Sequence, residues 1–282
     1  MTFKEERSAM TDRAWENLYK RLEQDGLLED TEKTRPRTSV RMLTYRTAAA
    51  AAVLCIFIVS AVMLYNRRPS DDRLSLHNGP GKPTLVKKME DGSVIYLSEH
   101  TSIQYPEHFP EDKREIFLQG NAFFEVTGNR ERPFIVETKS GMVEVIGTAF
   151  NIESKKENHL SVSVCSGKVK VTSKKEGKSV WVSAGETVAI HSGSMIKQGL
   201  QDDNLFDKYK QRIHFKDQYL SDVINILNTH NSEARITLLP EVEDRLLTVT
   251  FTDDSPETNV ELICMALNLK FEHKGNEIFI AP

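Results

Sequence analysis

Few residues in this chain have the type and spacing that chemistry requires. The eight histidines are scattered, and neither a His-Glu-x-x-His pattern nor paired Cys-x-x-Cys spacing occurs, so no zinc site is predicted. No Gly-x-Ser-x-Gly turn, P-loop or dinucleotide-binding glycine motif is present. We therefore predict that the protein is not an enzyme and has no metal and no cofactor.

The three cysteines are expected to be buried, inert thiols. Cys55 lies in an apolar run, Cys165 in a predicted strand and Cys264 on the apolar side of a predicted helix. A disulfide between Cys165 and Cys264 would require two predicted domains to dock.

Composition sets the class of protein before any motif is considered. The chain has 282 residues, which favours about two domains. Its 37 Lys and Arg against 41 Asp and Glu give a net charge of −4, which excludes a strongly basic nucleic-acid binder. Hydrophobic residues make up 39% of the chain, so it can form a packed core.

One segment divides the chain. No charged residue occurs in Thr47–Asn66, and twenty residues in a helix extend roughly 30 Å, the thickness of the hydrocarbon core of a bilayer. Arg46 and Arg67 flank the segment, and Tyr45 and Tyr65 stand where the two interfaces would lie. We predict a single transmembrane helix; the alternatives are a buried helix of a globular core and a cleaved signal peptide.

The flanking charges predict the orientation of this span. The fifteen residues before it carry five Lys and Arg and the fifteen after it carry three, which favours an inside N-terminus. The chain would then lie in the inner membrane, with a cytoplasmic tail at 1–46, a span at 47–66 and a periplasmic C-terminus.

The tail contains an aromatic helix face. Trp15, Leu18, Tyr19 and Leu22 are spaced as one side of a helix over residues 11–25, and Gly26 is the predicted C-terminal stop. A tail of this length cannot bury such a stripe alone, so we expect a partner. The stripe could instead pack on a second helix nearby or lie on the membrane surface.

The sequence after the predicted span indicates a mainly β protein with a smaller α+β domain. After a linker at 67–83, short β-branched and aromatic runs separated by glycines cover 84–195 and predict an all-β sandwich or roll. After a second linker at 196–211, two similar β-α-β patterns fill 212–282. Ser255-Pro256 predicts a helix start, and Gly275-Asn276 predicts a closing hairpin.

The β segment resembles the periplasmic domain of FecR-type anti-sigma regulators. The resemblance rests on the stretches DGSVIYLSEHTSIQYPEHF, REIFLQGNAFFEVTGNRERPFIVET and VEVIGTAFNIES, which stand in the family's order. The residues that match the family's motifs are Asp91, Gly92, Gly120, Phe123, Phe124, Pro133, Phe134, Gly147, Thr148 and Phe150. Asn121 departs from the pattern, because the family usually has Glu there. The C-terminal domain resembles the one that follows FecR domains in Bacteroidetes proteins and, more distantly, the signalling domain of TonB-dependent transducers.

The resemblance implies a function for each part. It implies that the tail face of Trp15, Leu18, Tyr19 and Leu22 holds an extracytoplasmic-function sigma factor. It implies that the periplasmic part senses the signalling domain of an outer-membrane TonB-dependent transporter, with no direct contact to nucleic acid. A membrane-anchored periplasmic module that binds glycan or cell wall, without signalling, remains the alternative, and it predicts clustered exposed aromatics; Trp181, in a predicted strand, is expected in the core.

The resemblance also singles out one peptide bond. Some family members are thought to cleave themselves at a Gly-Thr bond, which here is Gly147-Thr148. Attack by the Thr148 hydroxyl on the preceding carbonyl would give an ester that water opens. The alternative is a tight turn in which Gly147 supplies a positive φ and Thr148 starts the next strand.

Overall fold

A computed structural model describes the chain at residues 3–26, 56–60, 73–154, 159–202, 204–230, 234–252 and 255–282. It divides into two compact units, Met1–Ser70 and Asp71–Pro282. In the first unit, helix α1 runs from Phe3 to Gln24. The helix starts earlier than predicted because residues 3–10 contain neither Pro nor Gly. Its predicted stop is confirmed, since Gly26 has a φ of +65° just beyond the last turn.

Most of the predicted span Thr47–Asn66 lies outside the described residues. Only residues 56–60 of it are described, and they are helical. Among the described helices, none combines the length and the apolar character needed to cross a membrane.

The second unit is dominated by antiparallel strands, which confirms the mainly β prediction. Its first thirteen strands are β1 Arg73–Asn78, β2 Thr84–Lys88, β3 Val94–Leu97, β4 Thr101–Pro106, β5 Arg114–Glu125, β6 Phe134–Glu137, β7 Gly141–Val145, β8 Ala149–Ser154, β9 His159–Ser166, β10 Lys168–Ser173, β11 Ser179–Ser183, β12 Glu186–His191 and β13 Ser194–Gly199. One layer has the order β1-β4-β5-β6-β7-β10-β11, and the other has β13-β12-β9-β8-β5-β3-β2. The two layers enclose an apolar core.

Strand β5 belongs to both layers. The sequence predicts two strands here, at 115–118 and 123–126, separated by a glycine turn. Instead, one strand pairs with β4 and β6 through its first half and with β3 and β8 through its second half. Gly120 stands at the crossing with a φ of +115°, and an added Cβ would lie 2.7 Å from the Thr101 Cα. Glycine is therefore required for the strand to pass from one layer to the other.

The C-terminal part follows the predicted double β-α-β order. It comprises β14 Arg212–Tyr219, α2 Leu220–His230, β15 Arg235–Leu238, β16 Leu246–Thr252, α3 Pro256–Leu267, β17 Lys270–Lys274 and β18 Glu277–Ala281. The predicted start of α3 is confirmed, because the Ser255 hydroxyl accepts a hydrogen bond from the Thr258 amide and Pro256 opens the helix. The two β-α-β repeats meet where β14 and β16 pair. There Phe215 and Phe251 make an edge-to-face contact, with 5.9 Å between their ring centres.

The β-sandwich and the C-terminal part share a sheet. Strand β14 pairs in parallel with β2, so the second layer continues into β14 and β16. The segmentation differs from the predicted one at both linkers: β1 lies within 67–83, and β13 crosses the boundary at 195. Phe206 and Tyr209, from the predicted second linker, are buried in the C-terminal core, which is why this segment is not an exposed tether.

Two adjacent phenylalanines on β5 serve different cores. Phe124 points between the layers and stacks on Phe150, with 5.0 Å between the two ring centres. Phe123 points to the other face, where its ring centre lies 5.5 Å from that of Phe206 and 5.9 Å from that of Tyr209. Successive side chains of a strand alternate between faces, so a buried pair of this kind requires cover on both sides of the sheet.

Removal of the Phe123 ring tests the packing of the C-terminal part against the sheet. We expect Phe123→Ala to lower the free energy of unfolding by about 3–5 kcal/mol, because it leaves a cavity between the sheet and the C-terminal part. Urea unfolding followed by circular dichroism measures the change. The control is Ile196→Ala, at an exposed site on β13, which should alter stability by less than about 0.5 kcal/mol. Equal effects for the two variants would contradict a role of Phe123 in packing the C-terminal part against the sheet.

Candidate functional site

A buried ion pair lies at one end of the sandwich, where several family-motif residues converge. The Arg114 side chain is 1% exposed, and its Nη1 donates to Asp91 Oδ2 at 2.6 Å. Asp91 follows β2 in the turn to β3, and Arg114 is the first residue of β5. The Asp91 carboxylate also accepts hydrogen bonds from the Ser93 amide and from the Ser93 hydroxyl.

Arg114 also binds three backbone carbonyls. Its Nη1 donates to Thr127 O at 2.9 Å, its Nε to Arg132 O at 2.8 Å and its Nη2 to Ile146 O at 3.3 Å. The guanidinium carbon lies 5.4 Å from the centre of the Phe134 ring. A planar guanidinium with several donors suits this role, because one side chain can satisfy two carbonyls of the β5–β6 loop and one of the β7–β8 loop.

The motif residues at this site are far apart in sequence and meet only in the folded structure. Asp91 and Gly92 come from the β2–β3 turn, Phe134 starts β6, and Ile146 precedes the Gly147-Thr148 pair. Arg114 is not among the site residues predicted from the sequence. The signal that was available is a charged residue at the first position of a strongly alternating strand.

The Gly147-Thr148 bond follows β7 in a turn packed against a second glycine. An added Cβ on Gly147 would lie 2.5 Å from the Gly128 Cα, so close backbone approach requires glycine here. The predicted positive φ at Gly147 is wrong: the positive φ near this turn is at Gly167, +81°, where an added Cβ would lie 2.6 Å from the Thr148 Cγ2.

Thr148 holds an unsatisfied buried hydroxyl. Its carbonyl accepts a hydrogen bond from the Val126 amide at 2.9 Å, but no partner for its Oγ1 occurs among the described residues. A buried hydroxyl without a hydrogen bond costs about 1–3 kcal/mol. Thr148 also lines a cleft of about 420 Å³ that reaches from this turn to Ile226 and Thr229 of α2.

The remaining motif residues build the core around this site. Phe124, Phe134 and Phe150 are fully buried between the layers. Pro133 immediately precedes β6, and its carbonyl accepts a hydrogen bond from the Arg114 amide at 2.9 Å. Gly120 and Phe123 lie where β5 crosses to the second layer, so the motifs form one connected structure rather than separate sites.

Two buried tyrosines lie where the β-sandwich packs against the C-terminal part. Burial, followed by the charge of Glu125, raises the pKa of Tyr96, whose hydroxyl donates to Glu125 at 2.9 Å. Burial raises the pKa of Tyr209 to about 12. Lys210 bridges the two parts through an ion pair with Glu125 at 2.9 Å. Both tyrosines therefore remain neutral hydrogen-bonding groups throughout the ordinary pH range.

The apolar face predicted for the tail helix is largely exposed to solvent in the structure. Trp15 is 64% exposed and Tyr19 61% exposed, Leu18 is also exposed, and Leu22 is half-buried. These are large apolar side chains on one side of α1, so the described residues provide little cover for this face.

Two sequence predictions about burial are wrong. Cys165 is exposed, because it lies near the end of β9 beyond the core, whereas Cys264 is buried as predicted; both are free thiols. Trp181 is 52% exposed, because the edge strand β11 turns this side chain outward beside Lys168. Cys55 lies outside the described residues, and within those residues no group of three or more His, Cys, Asp or Glu side chains that could hold a metal ion occurs.

Loss of the guanidinium tests the buried ion pair. We expect Arg114→Met to lower the free energy of unfolding by about 3–5 kcal/mol, because it leaves Asp91 buried without its partner. The matched control is Lys170→Met, which removes a more exposed ion pair with Glu144 and should cost less than about 1 kcal/mol. If both variants unfold at the same urea concentration, Arg114 does not organise this end of the sandwich.

Comparison with solved structures gives two similar chains, both of a candidate anti-sigma factor from Parabacteroides distasonis ATCC 8503. The crystal structure at 2.50 Å resolution is 25% identical, covers 74% of this chain and 98% of its own, and has a TM-score of 0.46. The one at 1.65 Å is 26% identical, covers 73% and 98%, and has a TM-score of 0.45.

The comparison with protein families concerns the β-sandwich. No curated protein matches the chain. Residues 84–170 match the family model described as FecR protein, and this range contains the Asp91–Arg114 pair and the Gly147-Thr148 turn. These residues therefore form a domain that matches the FecR family.

Proposed function

We propose that the protein is a single-pass inner-membrane anti-sigma factor. In this proposal the tail at 1–46 holds an extracytoplasmic-function sigma factor in the cytoplasm, and the unit from 71 to 282 receives a signal in the periplasm. The FecR domain at 84–170 supports the assignment to signal transduction. The observation that carries the proposal is the exposed apolar face of α1.

The face of α1 has the properties of a helix that docks in a groove. Trp15, Leu18 and Tyr19 are large and exposed, and they follow one another along one side of the helix. Tryptophan and tyrosine are the residues that most often dominate binding energy at protein interfaces. Burial of such side chains on a partner contributes roughly 1.5–3 kcal/mol for each one that is fully covered.

The membrane arrangement follows from the sequence. The uncharged segment Thr47–Asn66 would separate the tail from the periplasmic unit, and the flanking basic residues favour a cytoplasmic tail. The compact unit 71–282 would then receive the signalling domain of a TonB-dependent outer-membrane transporter, and the contact would lead to release or proteolysis of the tail.

A glycan-binding module is the alternative, and one observation favours it. Trp181 is exposed on β11, as a sugar-stacking residue would be. However, the Lys168 ammonium lies 5.7 Å from the centre of its ring, and the other large exposed apolar residues described on the sandwich are aliphatic: Leu74, Ile146 and Ile196. The alternative expects the tail to be dispensable, so a test of the tail separates the two functions.

Substitutions in the tail face test the proposal. We expect Trp15→Ala and Leu18→Ala each to weaken sigma-factor binding by about thirtyfold, the effect of losing an interface hot spot of about 2 kcal/mol. Capture by residues 1–46, with identification of the bound sigma factor by mass spectrometry, measures the binding. Transcription from the sigma-dependent promoter should rise in the full-length variants.

The control is Asn17→Ala, an exposed residue on the opposite side of α1. This variant should bind and repress as the parent chain does. If all three variants behave alike, or the tail captures no sigma factor, the anti-sigma role is wrong. Loss of transcription in the two face variants would instead identify the tail as an activator.

Self-cleavage at Gly147-Thr148 forms part of the proposed signalling route. The Thr148 hydroxyl would attack the Gly147 carbonyl carbon, the peptide C–N bond would break, and the Thr148 nitrogen would leave as an amine. Water would then hydrolyse the resulting ester. The support is that no described residue holds Oγ1 in a competing hydrogen bond.

Intact mass and a denaturing gel test the cleavage. We expect the purified full-length chain to yield two fragments, 1–147 and 148–282. Thr148→Ser should still cleave, because it keeps the hydroxyl, whereas Thr148→Ala should remain one band. A single band from the parent chain would leave the turn with a purely structural role.

A further inference from the structure

Three polar side chains lie together on the face of the second layer that meets the C-terminal part. Asn121 of β5 is directly opposite Glu153 of β8, and Asn151 of β8 is opposite Phe123. Alternate residues of a strand share a face, so Asn121, Asn151 and Glu153 stand on the same side of the sheet as Phe123. Their side chains are therefore neighbours.

Two of the three carry an amide oxygen that no donor satisfies. Asn151 is 1% exposed, and its buried Oδ1 has no hydrogen-bond partner among the described residues. The same holds for the buried Oδ1 of Asn121, within the same part of the chain. Buried polar atoms in folded proteins nearly always have a partner, so these oxygens call for one that the described side chains do not supply.

Glu153 adds a negative charge without a counter-ion. Within the ranges that the structure describes, Glu153 makes no ion pair, and its one hydrogen bond is a long one, 3.5 Å from Asn151 Nδ2 to Oε1. The Lys210 ammonium lies over this face, 5.5 Å from the centre of the Phe123 ring, but it pairs with Glu125 instead. A half-buried carboxylate in this position favours a bound cation.

The strands on either side add hydroxyl and backbone groups rather than charge. Ser161 and Ser163 of β9 are the residues opposite Glu153 and Asn151. On the other side, the Asn121 amide donates to Thr101 Oγ1 at 3.0 Å, and the same hydroxyl donates back to Asn121 O at 3.0 Å. The backbone of Asn121 is thus fixed beside Glu153.

The donors of this cluster are those of a hard cation. Calcium binds Glu carboxylates and Asn carbonyls at about 2.3–2.6 Å and accepts irregular geometry, whereas magnesium is smaller and requires a nearly ideal octahedron. Residues directly opposite in paired strands have Cβ atoms about 4.5–5.5 Å apart, and diagonal neighbours about 7–8 Å apart, within reach of long side chains. One ion can therefore contact Asn121, Asn151 and Glu153 together.

We propose that Asn121, Asn151 and Glu153 bind one calcium ion between β5 and β8. The two amide oxygens and the carboxylate provide the protein ligands, and water completes the coordination. Asn121 and Glu153 are half-buried, so the ion can enter from solvent. Because only one ligand is charged, we expect the weak affinity of extracellular calcium modules, a Kd of about 10⁻⁴–10⁻³ M.

Calcium titration of the full-length protein in detergent micelles, after removal of metal ions with EDTA, tests the site. At ten times the Kd, calcium should raise the Tm by about 3–6 °C. Terbium, a luminescent substitute for calcium, should give a signal through nearby Tyr209 that calcium displaces. Magnesium at the same ionic strength should produce only a small part of the rise in Tm.

Two variants change the charge of the site in opposite directions. Glu153→Gln keeps the shape of the side chain and should abolish both the rise in Tm and the terbium signal. Asn121→Asp should lower the Tm in EDTA, because two carboxylates then face each other, and should tighten calcium binding roughly tenfold. The matched control is Glu144→Gln, in the other layer, where the carboxylate pairs with Lys170; it should respond to calcium as the parent chain does.

The proposal would be overturned by an equal calcium response of the parent chain and Glu153→Gln, or by equal stabilisation with magnesium. An Asn121→Asp variant that is destabilised to the same extent with and without calcium would also overturn it, since water alone would then satisfy the two amides. None of these measurements involves a sigma factor or the tail, so their outcome is independent of the proposed function.

Discussion

Burial of the second sheet layer on both of its faces is the constraint on which the outer unit depends. Phe124 fills the space between the layers, and Phe123, the adjacent residue, lies against Phe206 and Tyr209 on the opposite side. A sheet with large apolar side chains on both faces cannot leave one of them in water. The C-terminal part supplies that cover, and the pairing of β14 with β2 fixes it in the same sheet. A partner that binds either part therefore acts on one compact unit.

The other end of the sandwich depends on polar rather than apolar burial. Arg114 is satisfied by Asp91 and by carbonyls of Thr127, Arg132 and Ile146, so its charge is compensated although water is excluded. A buried charge with several hydrogen bonds specifies one arrangement of the surrounding loops, because any other arrangement would leave it unpaired. Several of the motif residues meet here for this reason: Asp91 binds the guanidinium, Phe134 packs against it, and Ile146, whose carbonyl accepts from it, immediately precedes Gly147.

In both units the fold leaves some apolar side chains or backbone groups uncovered. On α1 these are the aromatic side chains of the tail face, and on the C-terminal part they are Met265 and the outer backbone groups of β17. The contrast with β15 is informative, because Asn228 satisfies the backbone of Ile236 there. Two edges of the small sheet β15-β18-β17 are thus treated differently, and only one of them remains available for strand pairing.

The sequence by itself determined the local elements, because their signals depend on near neighbours. Period-two alternation predicted most strands, Ser255-Pro256 the start of α3, Gly275-Asn276 the last hairpin, and the spacing of Trp15, Leu18, Tyr19 and Leu22 the face of α1. Only the tertiary structure decided that β5 is one strand shared by two layers, that Trp181 and Cys165 are exposed, and that Arg114 is the centre of a network. The partners of Arg114 lie 13 to 32 residues away along the chain. Which side chains meet over such separations depends on how the layers pack, and no local pattern of residues contains that information.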